Sequence, residues 1–195
     1  MNRTILVPPG DDYDWMTLRC NHLMRQFAKN GWTVYWCNRS DANAEVLKPR
    51  EREPNIYECG LGRWPKSHEE IVDILGIDSV DVIYSNYPFW NKGTFPLERS
   101  VTIFDYIDYV DEWIDWEIEA MRDADIITTI SSPLKEHLEN KHPVKYKDSI
   151  LLRNACDVDF LNENPAPAPE LEGLESPIIG YIGALAVWFD KEAFR

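Results

Sequence analysis

Four aspartates run through F-D-Y-I-D-Y-V-D-E-W-I-D: Asp105, Asp108, Asp111 and Asp115, at spacings of three, three and four. Carboxylates can accept hydrogen bonds from sugar hydroxyls or take a proton from one. The apolar run Val101 to Phe104 before them reads as a buried strand, which sets Asp105 at its carboxyl end. Open α/β sheets place ligand-contacting groups there. Asp108 falls in the following loop. Asp105 and Asp108 are therefore the catalytic candidates, with Tyr106 and Trp113 as rings on which a sugar could stack. Asp111 reads better as a helix cap, and Asp115 as part of a solvated helix face.

A second candidate lies early in the chain, where P-P-G-D-D-Y-D-W follows a strand and precedes a helix. Gly10 lets backbone come close to a ligand. A helix N-terminus favours anions, but Asp11, Asp12 and Asp14 would repel a phosphate. They suit sugar hydroxyls, so Gly10, Asp11 and Asp14 are binding candidates. The alternative is an ordinary turn whose acids complement the helix dipole. The loop is neither G-x-G-x-x-G nor a P-loop, so no dinucleotide or triphosphate is implied.

Two further loops follow strands. Asn86-Tyr87-Pro88-Phe89-Trp90 could stack a sugar ring or an acceptor lipid, or simply pack; Asn86 is its polar candidate. Ser131-Ser132-Pro133 offers Ser131, although at least one of these serines reads as a helix cap. The D-x-D pairs Asp123/Asp125 and Asp157/Asp159 could suggest a metal, but a chain with 34 acidic residues makes such pairs by chance. Asp125 would also start its strand, the wrong end for a ligand. No metal and no cofactor are expected. His22 reads as half-buried packing, and His68, His137 and His142 as surface; none has metal-ligand spacing. No G-x-S-x-G or Cys/His signature is present.

These residues need elements to hold them. Strand-like runs are Thr4 to Val7, Thr33 to Cys37, Asn55 to Cys59, Val80 to Ser85, Val101 to Phe104, Asp125 to Ile130 and Ile150 to Leu152. Helical spacing fills Trp15 to Lys29 and Glu112 to Arg122. Ser67 and Glu70 form a capping box for Ile71 to Leu75, and Pro133 opens a last helix. Short β-branched runs alternating with amphipathic helices predict an α/β, Rossmann-like fold: a mainly parallel sheet with helices on both faces. Residues 1–161 form this domain. Residues 162–177, with Pro165, Pro167, Pro169 and Pro177, read as a semi-rigid linker. Residues 178–195 open with I-I-G-Y-I-G-A, which reads as the first strand and glycine turn of another domain.

The 195 residues allow one well-buried core. The net charge of −14 carries no basic stripe, which excludes nucleic acid and argues against anionic membranes. Met1-Asn2-Arg3 leads straight into a strand too short for a signal-peptide core. No apolar run nears the ~20 residues of a bilayer span. Cys20, Cys37, Cys59 and Cys156 are widely spaced without C-x-x-C, so reduced thiols are expected rather than a disulfide framework.

Four segments together carry a resemblance. I-I-G-Y-I-G-A-L-A-V-W-F-D resembles the strand and loop that open the C-terminal domain of GT-B-fold glycosyltransferases. R-N-A-C-D-V-D-F is similar to the N-x-x-D-x-x-x-F element ending their N-terminal domain. Asn154 and Asp157 match it, with Ala155 where the family often has Gly and Phe160 one residue nearer. F-D-Y-I-D-Y-V-D-E-W is similar to the family's Y-D-x-x-D-D-x segment, and A-D-I-I-T-T-I-S-S-P-L to its A-D-x-V-x-x-x-S-x-x-L segment. The likeness spans nearly the whole chain. It lies closest to bacterial family 4-type enzymes, including those of teichuronic-acid biosynthesis.

The resemblance implies the N-terminal, acceptor-side domain of an enzyme moving sugar from a nucleotide-sugar donor to a glycan or lipid-linked acceptor. It adds Asn154 and Gly183 to the binding candidates, and turns Ser131 and the Gly10 loop toward the cleft. It implies a cytoplasmic protein, peripheral at the inner membrane face when full-length. The family's donor-phosphate residues lie in the C-terminal domain, so this chain alone is expected not to catalyse transfer. Two alternatives stay open. One is a natural half-protein that pairs with a donor-binding subunit through Ile178, Ile179, Tyr181 and Ile182. The other is a flavodoxin-like phospho-acceptor module using Asp11 and Asp12, for which the partner Asp and Lys are not evident.

Overall fold

The computed structural model describes residues 3–39, 45–144, 146, 148–156, 166, 168–181, 183, 185, 189, 190 and 192–194. The sequence-derived assignments at Asp157, Asp159, Phe160, Ile182 and Ala184, and at much of the linker, lie outside them. The chain divides into two compact units, Met1–Cys156 and Asp157–Arg195.

The first unit is an α/β sheet protein. Its elements are β1 (Thr4–Val7), α1 (Arg19–Lys29), β2 (Thr33–Asn38), β3 (Val46–Glu53), β4 (Ile56–Leu61), α2 (His68–Leu75), β5 (Ser79–Ser85), β6 (Glu98–Tyr106), α3 (Ile114–Asp123), β7 (Ile126–Thr129), α4 (Ser132–Asn140) and β8 (Ile150–Leu151). The sheet order is β3-β4-β2-β1-β5-β6-β7-β8. Every pairing is parallel except β3 with β4.

Successive side chains of a strand leave opposite faces, and on β1 both faces are apolar. Ile5 and Val7 join Met24 and Ala28 of α1, with Val34, Trp36 and Tyr84. Leu6 joins Ile71, Ile74 and Leu75 of α2, with Ile83 and Phe95. Further along the sheet, Phe104 and Tyr106 of β6 and Ile127 of β7 pack with Met121 of α3 and Leu138 of α4. This double covering is what continuous β-branched runs require.

The capping box forms as expected. Ser67 Oγ accepts from the Glu70 N–H at 3.3 Å, and Glu70 Oε2 accepts from the Ser67 N–H at 2.8 Å. Gly76 ends α2 at φ 71°, the left-handed region that favours glycine.

Several local expectations are corrected. Helix α1 begins at Arg19, not Trp15. Tyr13 is buried edge-on against Trp36, 5.3 Å between ring centroids, and this holds the preceding loop out of the helix. Asn21 then closes the first turn, its Oδ1 accepting from the Leu18 N–H at 2.9 Å.

Strand β3 was not foreseen, because V-L-K-P-R-E-R-E shows neither alternation nor an apolar run. It is an antiparallel edge strand, where charges and a proline are tolerated and discourage further pairing. His142 is not on the surface: it is 1% exposed and its Nε2 lies 3.3 Å from Glu117 Oε2. Cys37 and Cys59, register partners on β2 and β4, bring their thiols to 3.4 Å, and burial pushes the Cys37 thiol up.

In the second unit, Pro169–Leu171 and Glu192–Phe194 are short 3-10 turns. Ile178 to Tyr181 form no strand, since among the described residues of this unit no neighbouring strand is present to complete a ladder. The Tyr181 and Phe189 rings lie 4.8 Å apart. Among the described residues, no helix is long and apolar enough to cross a membrane.

Candidate functional site

Strand order reverses at β1, which pairs with β2 on one side and with β5 on the other. The loops leaving β1 and β5 therefore diverge, and open α/β sheets bind ligands in the crevice at such a switch point. Gly10 and Asp11 sit in the first loop, Asn86 to Trp90 in the second.

Two hydrogen bonds tie these loops together. The Tyr87 hydroxyl donates to both oxygens of Asp11, at 3.1 and 3.0 Å. Trp90 Nε1 donates to the Pro9 carbonyl at 2.6 Å. Burial, then the charge of Asp11, pushes the Tyr87 phenol up to about 12, so it stays a donor at neutral pH. Gly10 is dictated by contact: a Cβ there would lie 2.6 Å from Cδ2 of the Tyr87 ring. The aromatic loop is braced from within, as Asn91 Oδ1 accepts from the Gly93 and Thr94 amides and Thr94 Oγ1 donates to the Phe89 carbonyl at 2.6 Å.

Between the loops lies a cavity of about 540 Å³. Its walls are Trp64, Tyr87, Phe89, Trp90 and Trp113, its edge is Pro9 and Gly10, and Arg39 completes it. The rings support one another. Trp64 meets Trp90 edge-on at 4.9 Å, and Trp113 meets Tyr87 at 5.8 Å and Phe89 at 5.5 Å. A ring-lined cavity of this size can take a sugar against aromatic faces. A smaller cavity of about 50 Å³ adjoins the same Tyr87 and Trp113 and is lined also by Asn86, Tyr106, Asp108 and Glu117. Asp108 is exposed beside it, whereas Tyr106 is 1% exposed and its hydroxyl has no partner among the described residues. Burial pushes that phenol up, with the charge of Glu117 adding to it.

Asp105 is built differently. It lies at the carboxyl end of β6 as expected, but its side chain is 0% exposed. Arg19 clamps it with two bonds, Nε to Oδ2 at 2.7 Å and Nη2 to Oδ1 at 3.1 Å. The hydroxyls of Tyr84 and Thr128 also donate to it. Four donors occupy the carboxylate, and no oxygen faces solvent. The carboxylate sits beneath the strand ends and holds Arg19. Arg19 in turn donates through Nη1 to Asn154 Oδ1 at 3.1 Å and to the Arg153 carbonyl at 3.3 Å, past the end of β8. Asp105 and Asn154, far apart in sequence, thus become one chain of contacts.

The remaining candidates scatter. Ser131 is the N-cap of α4, its Oγ accepting from the Leu134 N–H at 3.3 Å. Asp14 is exposed and paired with Arg52 of β3. Gly183 belongs to the second unit, where a Cβ would lie 2.6 Å from the Tyr181 hydroxyl oxygen. Asp111 caps no helix through its side chain; it accepts from the Tyr109 hydroxyl.

Sequence reasoning missed Arg19, Trp64 and Arg39. Arg39 directly follows β2, and Trp64 lies in the loop after β4. The rule that flagged the loops after β1 and β5 points to both when applied to those strands.

No protein-family model matches the chain, and no curated protein matches it. Among solved structures, it is similar to a sucrose-phosphate synthase from Thermosynechococcus elongatus, with a TM-score of 0.51 at 14% identity. The match covers 82% of this chain and 91% of that one. At that identity the likeness shows the fold alone, a Rossmann-like α/β domain with a mainly parallel sheet.

Proposed function

We propose that the chain is the acceptor-binding domain of a glycosyltransferase. The observation that carries this reading is the aromatic cavity at the switch point, stitched shut at one side by Tyr87 with Asp11 and by Trp90 with Pro9. In this reading the acceptor, a glycan or a lipid-linked sugar, lays its C–H face on Trp113 and its neighbours. Asn86 and Asp108 take its hydroxyls, and Asp108, exposed beside the smaller cavity, is the carboxylate that could accept a proton. Asp11 is shared with Tyr87 and fixes the loop. Asp105 acts through Arg19 on Asn154, as a positioning residue.

The nucleotide-sugar donor is assigned to the donor-side domain, to whose opening segment Gly183 belongs, while Ser131 and Asn154 remain binding candidates of the acceptor side. The division into 1–161, a linker at 162–177 and a donor-side domain opening at 178 belongs to the same proposal. So do the family 4, teichuronic-type affinity, the cytoplasmic location, and the absence of transfer by this chain alone. The motif resemblance supports them, and the fold supports only the Rossmann-like character of the first unit.

Saturation-transfer NMR with a panel of methyl glycosides tests the reading. Sugar ring protons should receive saturation from the protein, and Trp113→Ala should remove it. A panel in which no glycoside touches the protein overturns the proposal. Turnover of any nucleotide sugar by the isolated chain would refute the division of labour.

A further inference from the structure

We infer that the aromatic cavity selects a saccharide bearing an anion, a carboxylate or a phosphate, and that Arg39 reads that charge. The inference rests on the acceptor reading and narrows it. Of the side chains lining the cavity, Arg39 alone is ionised at neutral pH. The contrast with the rest of the molecule is sharp, since the chain carries a net charge of −14 and would repel an anion elsewhere.

Arg39 also differs from most arginines of this domain. Arg19 is bound to Asp105, Arg25 to Glu53, Arg50 and Arg52 to Glu58, and Arg99 to Asp123. The Arg39 guanidinium has no hydrogen bond or ion pair among the described residues, while its backbone N–H is fixed by Asp12 Oδ1 at 3.0 Å. Asp12 accepts from that N–H and Asp11 accepts from the Tyr87 hydroxyl, and neither pairs with the guanidinium. The residue is held in place and its five donors are left for a ligand.

Neither half of the cavity explains the other. A bare anion gains nothing from Trp64, Phe89, Trp90 and Trp113. A neutral sugar takes only ordinary hydrogen bonds from a guanidinium, whose fork matches the geometry of carboxylate and phosphate. A ligand with an apolar ring face and an anion uses both, and about 540 Å³ accommodates one of that size.

Three cavity tryptophans make the test direct. Their fluorescence is titrated with glucose, glucuronate, glucose phosphate and inorganic phosphate, on the wild-type chain, Arg39→Gln and Arg39→Lys. At least one charged sugar should quench saturably and bind about tenfold tighter than glucose, the scale of one charge-assisted pair. Which of the two does so identifies the anion. Arg39→Gln should bring the charged sugar down to the glucose level, and Arg39→Lys should restore part of the preference. Arg39 is exposed, so these variants keep the fold, which circular dichroism verifies.

Charged and neutral sugars binding alike would overturn the inference and leave the acceptor reading standing. So would a preference that survives Arg39→Gln, or inorganic phosphate binding as tightly as the sugar phosphate. Quenching by none of the sugars would overturn both.

Discussion

The cluster around Asp105 and the aromatic cavity both belong to the carboxyl ends of the parallel strands, yet they are built on opposite terms. Asp105 is an ionisable group with every oxygen occupied and no exposure. The cavity is open, ring-walled and nearly uncharged, with one guanidinium that has no partner among the described residues. The first spends its polar groups on one another and rigidifies the carboxyl ends of β5, β6 and β7. The second keeps its surfaces available. A carboxylate at a strand's end is thus no guide to chemistry until the donors around it are counted.

Breaking the first region should have the larger effect. Asp105→Ala leaves Arg19, 12% exposed, without its partner and strands the Tyr84 and Thr128 hydroxyls. A loss of ~3–5 kcal/mol in urea unfolding is expected. A loss under about 1 kcal/mol would mean the cluster is not holding these strand ends together.

On the cavity side, Gly10→Ala forces a Cβ into the Tyr87 ring. It should cost ~1–3 kcal/mol, as overpacking does, and should shift the tryptophan emission. Unchanged emission with full stability would show that the loops are not pressed together at this point.

The loop contact on the cavity side also responds to alkali. The Tyr87 phenol is raised from its ordinary 10.0 to about 12, so the stability it contributes is intact below pH 10 and is lost as pH rises from 10 to 12. Tyrosinate absorbance followed with stability over that window should show the loss, and Tyr87→Phe should flatten it. An identical pH profile in the variant would contradict the Tyr87–Asp11 contact.

Smaller effects sharpen the contrast. Ser131→Ala should cost ~1 kcal/mol through loss of the α4 cap. It should leave glycoside binding untouched if Ser131 serves the helix alone. Tyr106→Phe removes a buried hydroxyl that has no partner among the described residues, so stability should hold or rise by about 1 kcal/mol or less. A clear loss would reveal a partner for that hydroxyl.

Local chemistry explains what could be read in advance. Strand β1, the capping box of α2 and the parallel α/β layout rest on burial periodicity and backbone capping, which neighbouring residues decide. The edge strand β3 was illegible because its pairing with β4, not its own pattern, makes it a strand. His142 looked polar in context and is buried because Glu117 of α3 meets it.

The sequence by itself determined the class of fold, the loops that could carry a site and the acidic character of the chain. Those follow from side-chain type and short-range spacing. Only the tertiary structure decided that Asp105 is closed off, that Arg19 links it to Asn154, and that Trp64 and Arg39 join the Tyr87 loop. Each depends on donors and rings brought together from distant strands, and hydrogen bonding and packing act through space rather than along the chain.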